Sequence, residues 1–202
     1  NTIYDRTPTS TASTTLYAYY QKSVTATFYY TDSTSVQTAK ASGTRSYITN
    51  TSSMKTVNGN ITVPAAVSAN RTLGSGGRAI TYNGVSTGSA TNVTPTTANT
   101  TYYANYKYSI TVTFDSNGAT SGKSNPSPVT GNVYCSYTLS RTGLSVKMPD
   151  NTSEYALVKS GANATYTFSG WNSKTDGTGT AYSANTSYTF YDSTTVYVRW
   201  FR

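Results

Sequence analysis

Across residues 23–30 the chain alternates: Val24, Ala26 and Phe28 fall on one side of an extended strand, and Thr25, Thr27 and Tyr29 on the other. A period of two is what a strand with one buried face requires. The pattern predicts further strands at residues 14–20, 78–82, 101–106, 109–114, 129–139, 164–171 and 196–200, and shorter ones at 61–63 and 145–148, each ahead of a proline, Pro64 and Pro149. Asn58-Gly59, Gly76-Gly77, Asn83-Gly84, Asp115-Ser-Asn-Gly118 and Asp176-Gly177 punctuate them with residues that tolerate the backbone angles of tight turns. No 11-residue window sustains apolar spacing of three and four. Little or no helix is therefore expected, with one helical turn allowed within residues 151–161.

The strands repeat at a fixed offset. Thr81-Tyr-Asn-Gly-Val85 precedes Thr167-Phe-Ser-Gly-Trp171 by 86 positions, and Ser23-Val-Thr-Ala-Thr-Phe28 precedes Ser109-Ile-Thr-Val-Thr-Phe114 by the same 86. A closing strand occurs three times, as Thr15-Leu-Tyr-Ala-Tyr-Tyr20, Thr101-Tyr-Tyr-Ala-Asn-Tyr106 and Thr195-Val-Tyr-Val-Arg-Trp200. The last copy carries about eight extra residues around Asp176-Gly-Thr-Gly-Thr180. Residues 1–20 thus read as the tail of a preceding repeat, 21–107 as a divergent β module and 108–202 as a second module. Phe28, Tyr82, Phe114, Phe168, Trp171 and Tyr197 are the predicted repeat core.

Thr167-Phe-Ser-Gly-Trp-Asn, Asp176-Gly-Thr-Gly-Thr, Val196-Tyr-Val-Arg-Trp and the opening Thr113-Phe-Asp-Ser-Asn-Gly118 resemble the Listeria-Bacteroides repeat, also called the internalin B-type repeat. The resemblance covers about residues 109–200 strongly and 22–107 more weakly, where Val85 stands in place of the Trp. It implies two tandem small β-grasp-like modules in a bacterial surface protein, and it carries no catalytic residues over.

Composition fits two small cores. The 202 residues are 36% hydrophobic, and 20 tyrosines supply much of the bulk that few aliphatic residues provide. Thr, β-branched and polar, suits the solvated face of a sheet. A disordered Ser/Thr linker would lack the regular alternation with Tyr, Val, Ile and Phe. Charge is sparse and positive, with 15 Lys plus Arg against 7 Asp plus Glu and a net +8. The cations are scattered singly; the nearest approach to a patch is Arg71, Arg78, Lys147 and Lys159. That spacing argues against nucleic acid and suits either plain solubility or anionic polymers such as cell-wall or host glycans.

Candidate chemistry is thin. There is no His and a single Cys135, so disulfide, zinc and His-activated nucleophile chemistry are not expected. Cys135 reads as a small core residue. Gly74-Ser-Gly-Gly77 lacks the Lys-Ser/Thr of a phosphate loop. Asn172-Ser-Lys-Thr-Asp-Gly177 imitates half a calcium loop, but Lys174 occupies a ligand position, and a β-turn is predicted instead. Asp150 and Glu154 are near in sequence, and the expected role of the pair is to cap a helical turn, not to cleave a glycoside. Lys22 and Asn105 are a conceivable isopeptide pair, and eight Asn-x-Ser/Thr sequons are present. No catalytic residue, metal or cofactor is assigned.

The orphan strand bearing Leu16, Tyr17, Ala18, Tyr19 and Tyr20 is expected to dock within the chain, to complete a neighbouring molecule, or to stay disordered as a bare edge. No apolar run reaches bilayer length. The expected role is a non-enzymatic structural or adhesive segment of an extracellular, cell-surface or cell-wall protein, a stalk whose partners are neighbouring repeats. Two alternatives accompany it: a module gripping glycans or a host protein through exposed Tyr, Lys and Arg, and a filament subunit joined by strand donation through residues 14–20.

Overall fold

In the computed structural model, residues 18–49, 54–58, 61–73, 78–85, 92–93, 100–122, 125–152 and 154–202 are described. The chain is mainly β, with a single four-residue helix among these residues. It divides into two compact units. The first holds the described residues up to Lys107 together with Cys135–Ser140, and the second holds Tyr108–Tyr134 and Arg141–Arg202.

In the first unit, β1 (Tyr19–Thr31) and β2 (Val36–Thr49) form a long antiparallel hairpin, in register from Tyr19 opposite Ile48 to Thr31 opposite Val36. Asp32 closes it: one carboxylate oxygen accepts the Thr34 and Ser35 amides, both at 2.9 Å, and the Thr34 hydroxyl at 2.7 Å. β3 (Met54–Asn58) adds to β2. There follow β4 (Ile61–Thr62), helix α1 (Ala65–Ser68), β5 (Arg71–Leu73), β6 (Arg78–Val85), β7 (Asn92–Val93) and β8 (Thr100–Asp115), of which the part through Lys107 belongs here. β8 runs parallel to β1, Ala26–Tyr29 against Thr100–Tyr103, and antiparallel to β6. The sheet order is β3-β2-β1-β8-β6-β5.

The second unit uses β8 from Tyr108 onward as its opening strand, then β9 (Val129–Ser136), β10 (Arg141–Thr142), β11 (Leu144–Lys147), β12 (Lys159–Gly161), β13 (Ala164–Asn172), β14 (Ala181–Tyr182), β15 (Ser187–Phe190) and β16 (Thr194–Phe201). β16 closes it parallel to β8, Thr194–Tyr197 against Val112–Asp115. Here the order is β10-β9-β8-β16-β13-β12.

The two units repeat one set of registers. Thr81 faces Lys107 and Tyr82 faces Tyr106 before a bulge that sets Val85 against Ala104. Thr167 faces Phe201 and Phe168 faces Trp200 before a bulge that sets Trp171 against Val198. Ile61 pairs Val93 as Val146 pairs Tyr188, and the β5–β6 hairpin corresponds to β12–β13. Opening and mid-unit positions differ by 85 to 88 residues and closing ones by 94 or 95, so the insertion lies between Gly170 and β16.

Alternation places each core. Val24, Ala26 and Phe28 are buried as predicted, with Ile61, Val63, Val67, Ile80, Val85, Ala104 and Tyr106. Ile110, Val112, Phe114, Val133, Val146, Met148, Trp171, Val196 and Val198 form the second core. Phe114 and Phe168 meet the Trp171 ring edge-on at 5.1 and 5.9 Å, and the Trp171 indole N–H donates to the Pro149 carbonyl at 2.8 Å. A buried indole keeps its donor satisfied in this way.

Two expectations, the place of the helix and the end of β9, change. The helix lies at Ala65–Ser68, where Pro64 fixes an entry angle and Val67 docks into the core, and its first amide bonds run back to the Pro64 carbonyl. The turn allowed within residues 151–161 forms where the Thr152 carbonyl accepts the Tyr155 and Ala156 amides, and it goes no further because Asn151 braces Leu157 with both ends of its amide. β9 stops at Ser136, short of the predicted residue 139, because Tyr137–Thr138 turn and Leu139 has φ 63°.

Candidate functional site

Of the residues expected to form an orphan strand, Leu16 and Tyr17 lie outside the described residues, and Ala18 immediately precedes β1. Tyr19 and Tyr20 are the first residues of β1 and pair with Ile48 and Tyr47 of β2 within the chain. The Tyr19 hydroxyl donates to Ser46 Oγ at 2.8 Å and accepts from Gln21 Nε2 at 3.2 Å.

The predicted core residues divide by depth. Phe28, Phe114 and Trp171 are fully buried, whereas Tyr82, Phe168 and Tyr197 are half-buried. In the second unit the turn at 115–118 is a structural hub. Asp115 Oδ1 accepts the Asn117 amide at 2.7 Å, and Asn117, at φ 49°, sends its side-chain amide to the carbonyls of Thr175 and Val198 at 2.8 and 2.9 Å. Its own carbonyl accepts Lys159 Nζ at 3.0 Å and the Trp200 indole N–H at 3.1 Å. Four elements are tied at one residue.

Asn172 does the same for the loop that follows it. Buried to 1% exposure, it donates to the carbonyls of Gly177 and Gly179 and accepts the amides of Lys174 and Gly179, all at 3.0 to 3.2 Å. The loop imitating a calcium site is thus folded around an amide. Asp176 turns outward to accept the Thr178 amide and hydroxyl, bonds that hold its carboxyl below the usual range. Among the described residues no three His, Cys, Asp or Glu side chains gather to hold a metal.

The remaining candidates also have structural roles. Asp150 accepts the Asn151 amide and the Asn185 side chain, both at 2.8 Å, while Glu154 is exposed. Arg71 donates to the Thr31 carbonyl at 2.9 Å, matching Lys159 on Asn117 in the other unit. Cys135 is buried and forms no disulfide, as a core residue should be. Lys22 is exposed and no described carboxylate is buried, so the buried acid that promotes an isopeptide bond is not found among the described residues. No described helix is long and apolar enough to cross a membrane.

One feature is not absorbed by folding. In the first unit the rings of Tyr29 and Tyr103, neighbours across the parallel β1–β8 pair, stack at 5.6 Å with 22° between planes. Tyr137, from the turn after β9, packs on Tyr103 at 4.9 Å and 33° and on Tyr29 at 6.1 Å. Tyr103 is 43% exposed. Strand alternation points Tyr29 away from the core, but nothing near Tyr137 in sequence signals that a turn 34 positions beyond Tyr103 returns beside it. The side chain of Asn172 was likewise not foreseen, although its motif was.

Compared with known proteins, the chain significantly matches no family model, no curated protein and no solved structure.

Proposed function

We propose that this chain is a non-enzymatic, load-bearing segment of a bacterial cell-surface protein, built from modules of the internalin B-type repeat kind. Neighbouring repeats are its proposed partners, and its proposed setting is extracellular, at the surface or in the cell wall. The observation that carries the reading is the parallel pairing of each unit's first strand with its last: Ala26–Tyr29 with Thr100–Tyr103, and Val112–Asp115 with Thr194–Tyr197. In parallel neighbours that begin and end a unit, the chain enters at one end of the pair and leaves at the other. Tension on the chain therefore shears all the inter-strand hydrogen bonds together instead of opening them one at a time. The central parallel pair flanked by antiparallel strands also supports the β-grasp-like expectation. The motif residues support a scaffold role, since Asn117, Asn172 and Trp171 hold loops and core.

Single-molecule stretching of the whole chain from its two ends tests this. Two unfolding events at forces well above those that unzip an antiparallel hairpin are expected. Yielding at hairpin-like force would remove the load-bearing reading.

A further inference from the structure

We propose that the outward face of β1, β2 and the first half of β8 is a binding surface for an acidic polysaccharide, centred on Tyr29, Tyr103 and Tyr137. It goes beyond the spacer reading and does not depend on it, because a load-bearing unit has no need of an exposed aromatic cluster.

Three observations converge. First, the three rings form one cluster, Tyr103 lying 22° from the plane of Tyr29 and 33° from that of Tyr137 while Tyr29 and Tyr137 are tilted by 54°, and Tyr103 keeps 43% of its surface open. A partly open aromatic cluster with polar edges offers ring carbons to the C–H groups of a sugar while its hydroxyls meet the ring substituents. Second, the cluster is specific to this unit. The positions matching Tyr29 and Tyr103 in the second unit are Asp115 and Tyr197, which pair in the same register without stacking rings, so the fold does not demand the tyrosines. Third, the charge is one-sided. Lys40 and Lys107 stand at outward-facing positions of these strand segments, which carry no Asp or Glu, whereas Lys22 and Arg45 pair at positions of the opposite face. Lys40 is exposed opposite Thr27, whose other neighbour is Thr101, and this row adjoins Thr38–Tyr29–Tyr103 on the same face. A cation one row from the rings, about 7–8 Å on the diagonal, meets a carboxylate borne on a sugar stacked over the tyrosines. Thr27, Thr38 and Thr101 occupy positions in these same two rows.

Affinity electrophoresis of the full chain through gels containing polygalacturonate, neutral dextran or polyglutamate distinguishes the terms. Polygalacturonate is expected to retard the protein most. Tyr103→Ala should weaken that retention about tenfold while the circular dichroism spectrum stays that of the folded chain. Lys40→Ala should weaken it about threefold and flatten its salt dependence, while Lys147→Ala, an exposed cation of the second unit, should leave it unchanged. Retention by polyglutamate equal to that by polygalacturonate, indifference to Tyr103→Ala, a loss with Lys147→Ala as large as with Lys40→Ala, or no retention by polygalacturonate would each overturn the proposal. None of these outcomes alters the stretching experiment.

Discussion

Gly84 and Gly170, 86 positions apart, hold the same backbone conformation at φ 85° and 94°, each inside the bulge that separates Tyr82 from Val85 and Phe168 from Trp171. The left-handed region is nearly free for glycine and strained for other residues. A bulge of this kind turns two aromatic-bearing strands by the same amount, so each unit retains the glycine even where Trp171 has become Val85.

Gly170→Ala should be costly for two reasons. The added Cβ would lie 2.7 Å from the Tyr182 carbonyl oxygen, and the residue would keep a strained φ. About 2–4 kcal/mol of stability is expected to be lost. Gly177 shares the strain, at φ 77°, but its Cβ would meet nothing within 4 Å. Gly177→Ala should cost only about 1 kcal/mol. Equal losses in urea unfolding would contradict the steric argument.

Asn172→Ala removes four hydrogen bonds at a buried site and leaves two amides and two carbonyls without partners. A loss of about 3 kcal/mol is expected. Asn172→Asp keeps the acceptor for Lys174 and Gly179 but sets a carboxylate oxygen against the Gly177 and Gly179 carbonyls in a buried site, and should cost at least as much as Ala. The order of the three midpoints is the measurement.

Trp171→Val copies the first unit's residue into the second. The rings of Phe114 and Phe168 would lose their packing partner and the Pro149 carbonyl its donor, so the second unit should be destabilised by about 3–5 kcal/mol. Hydrogen exchange read unit by unit should place the loss in the second; protection lost evenly across both units would count against separate cores.

On the acid side of the stability curve Asp32 is shifted further than Asp176. The Thr34 hydroxyl, followed by the Thr34 and Ser35 amides, lowers the Asp32 carboxyl from 3.8 to about 2. A depressed folded value stabilises above the unfolded one, so this contribution is complete above pH 3.8 and disappears as the pH falls through about 2. An NMR titration of the Asp32 carboxyl carbon should find that low midpoint. A midpoint at the ordinary value would mean that the turn is open in solution.

The alkaline side involves Tyr106, whose ionisation is pushed above 10.0 by burial, with the nearby Arg71 guanidinium opposing. The unfolded chain releases this proton near pH 10 while the fold retains it, so stability is full below that pH and falls as the pH rises through the raised value. Tyr106→Phe should flatten this limb in pH-dependent unfolding, and an unchanged slope would assign it to other tyrosines.

Much of the architecture was legible because burial is written in alternation: Val24, Ala26 and Phe28 could only be a core face, and the 86-residue offset recovered matching bulges. β2 was not legible. Its inward residues include Ala39, Ala41 and Gly43, too small to mark a face, and it is a strand because β1 lies beside it. α1 escaped notice because four residues after a proline carry no helical period. The tyrosine surface was half legible, since outward Tyr29 and Tyr103 follow from strand parity, while Tyr137 joins them only through tertiary folding.

The first-to-last strand pairing also governs when each unit can form during synthesis. Ala26–Tyr29 must wait for Thr100–Tyr103, and the first unit is complete only when Cys135–Ser140 has left the ribosome, by which point the next opening strand is already exposed. Two near-copies emerging in succession offer each opening strand a choice of closing strands, and the long wait favours exchange between them. The divergence that puts Tyr102 opposite Phe28 but Val196 opposite Phe114 gives each strand a reason to take its own partner.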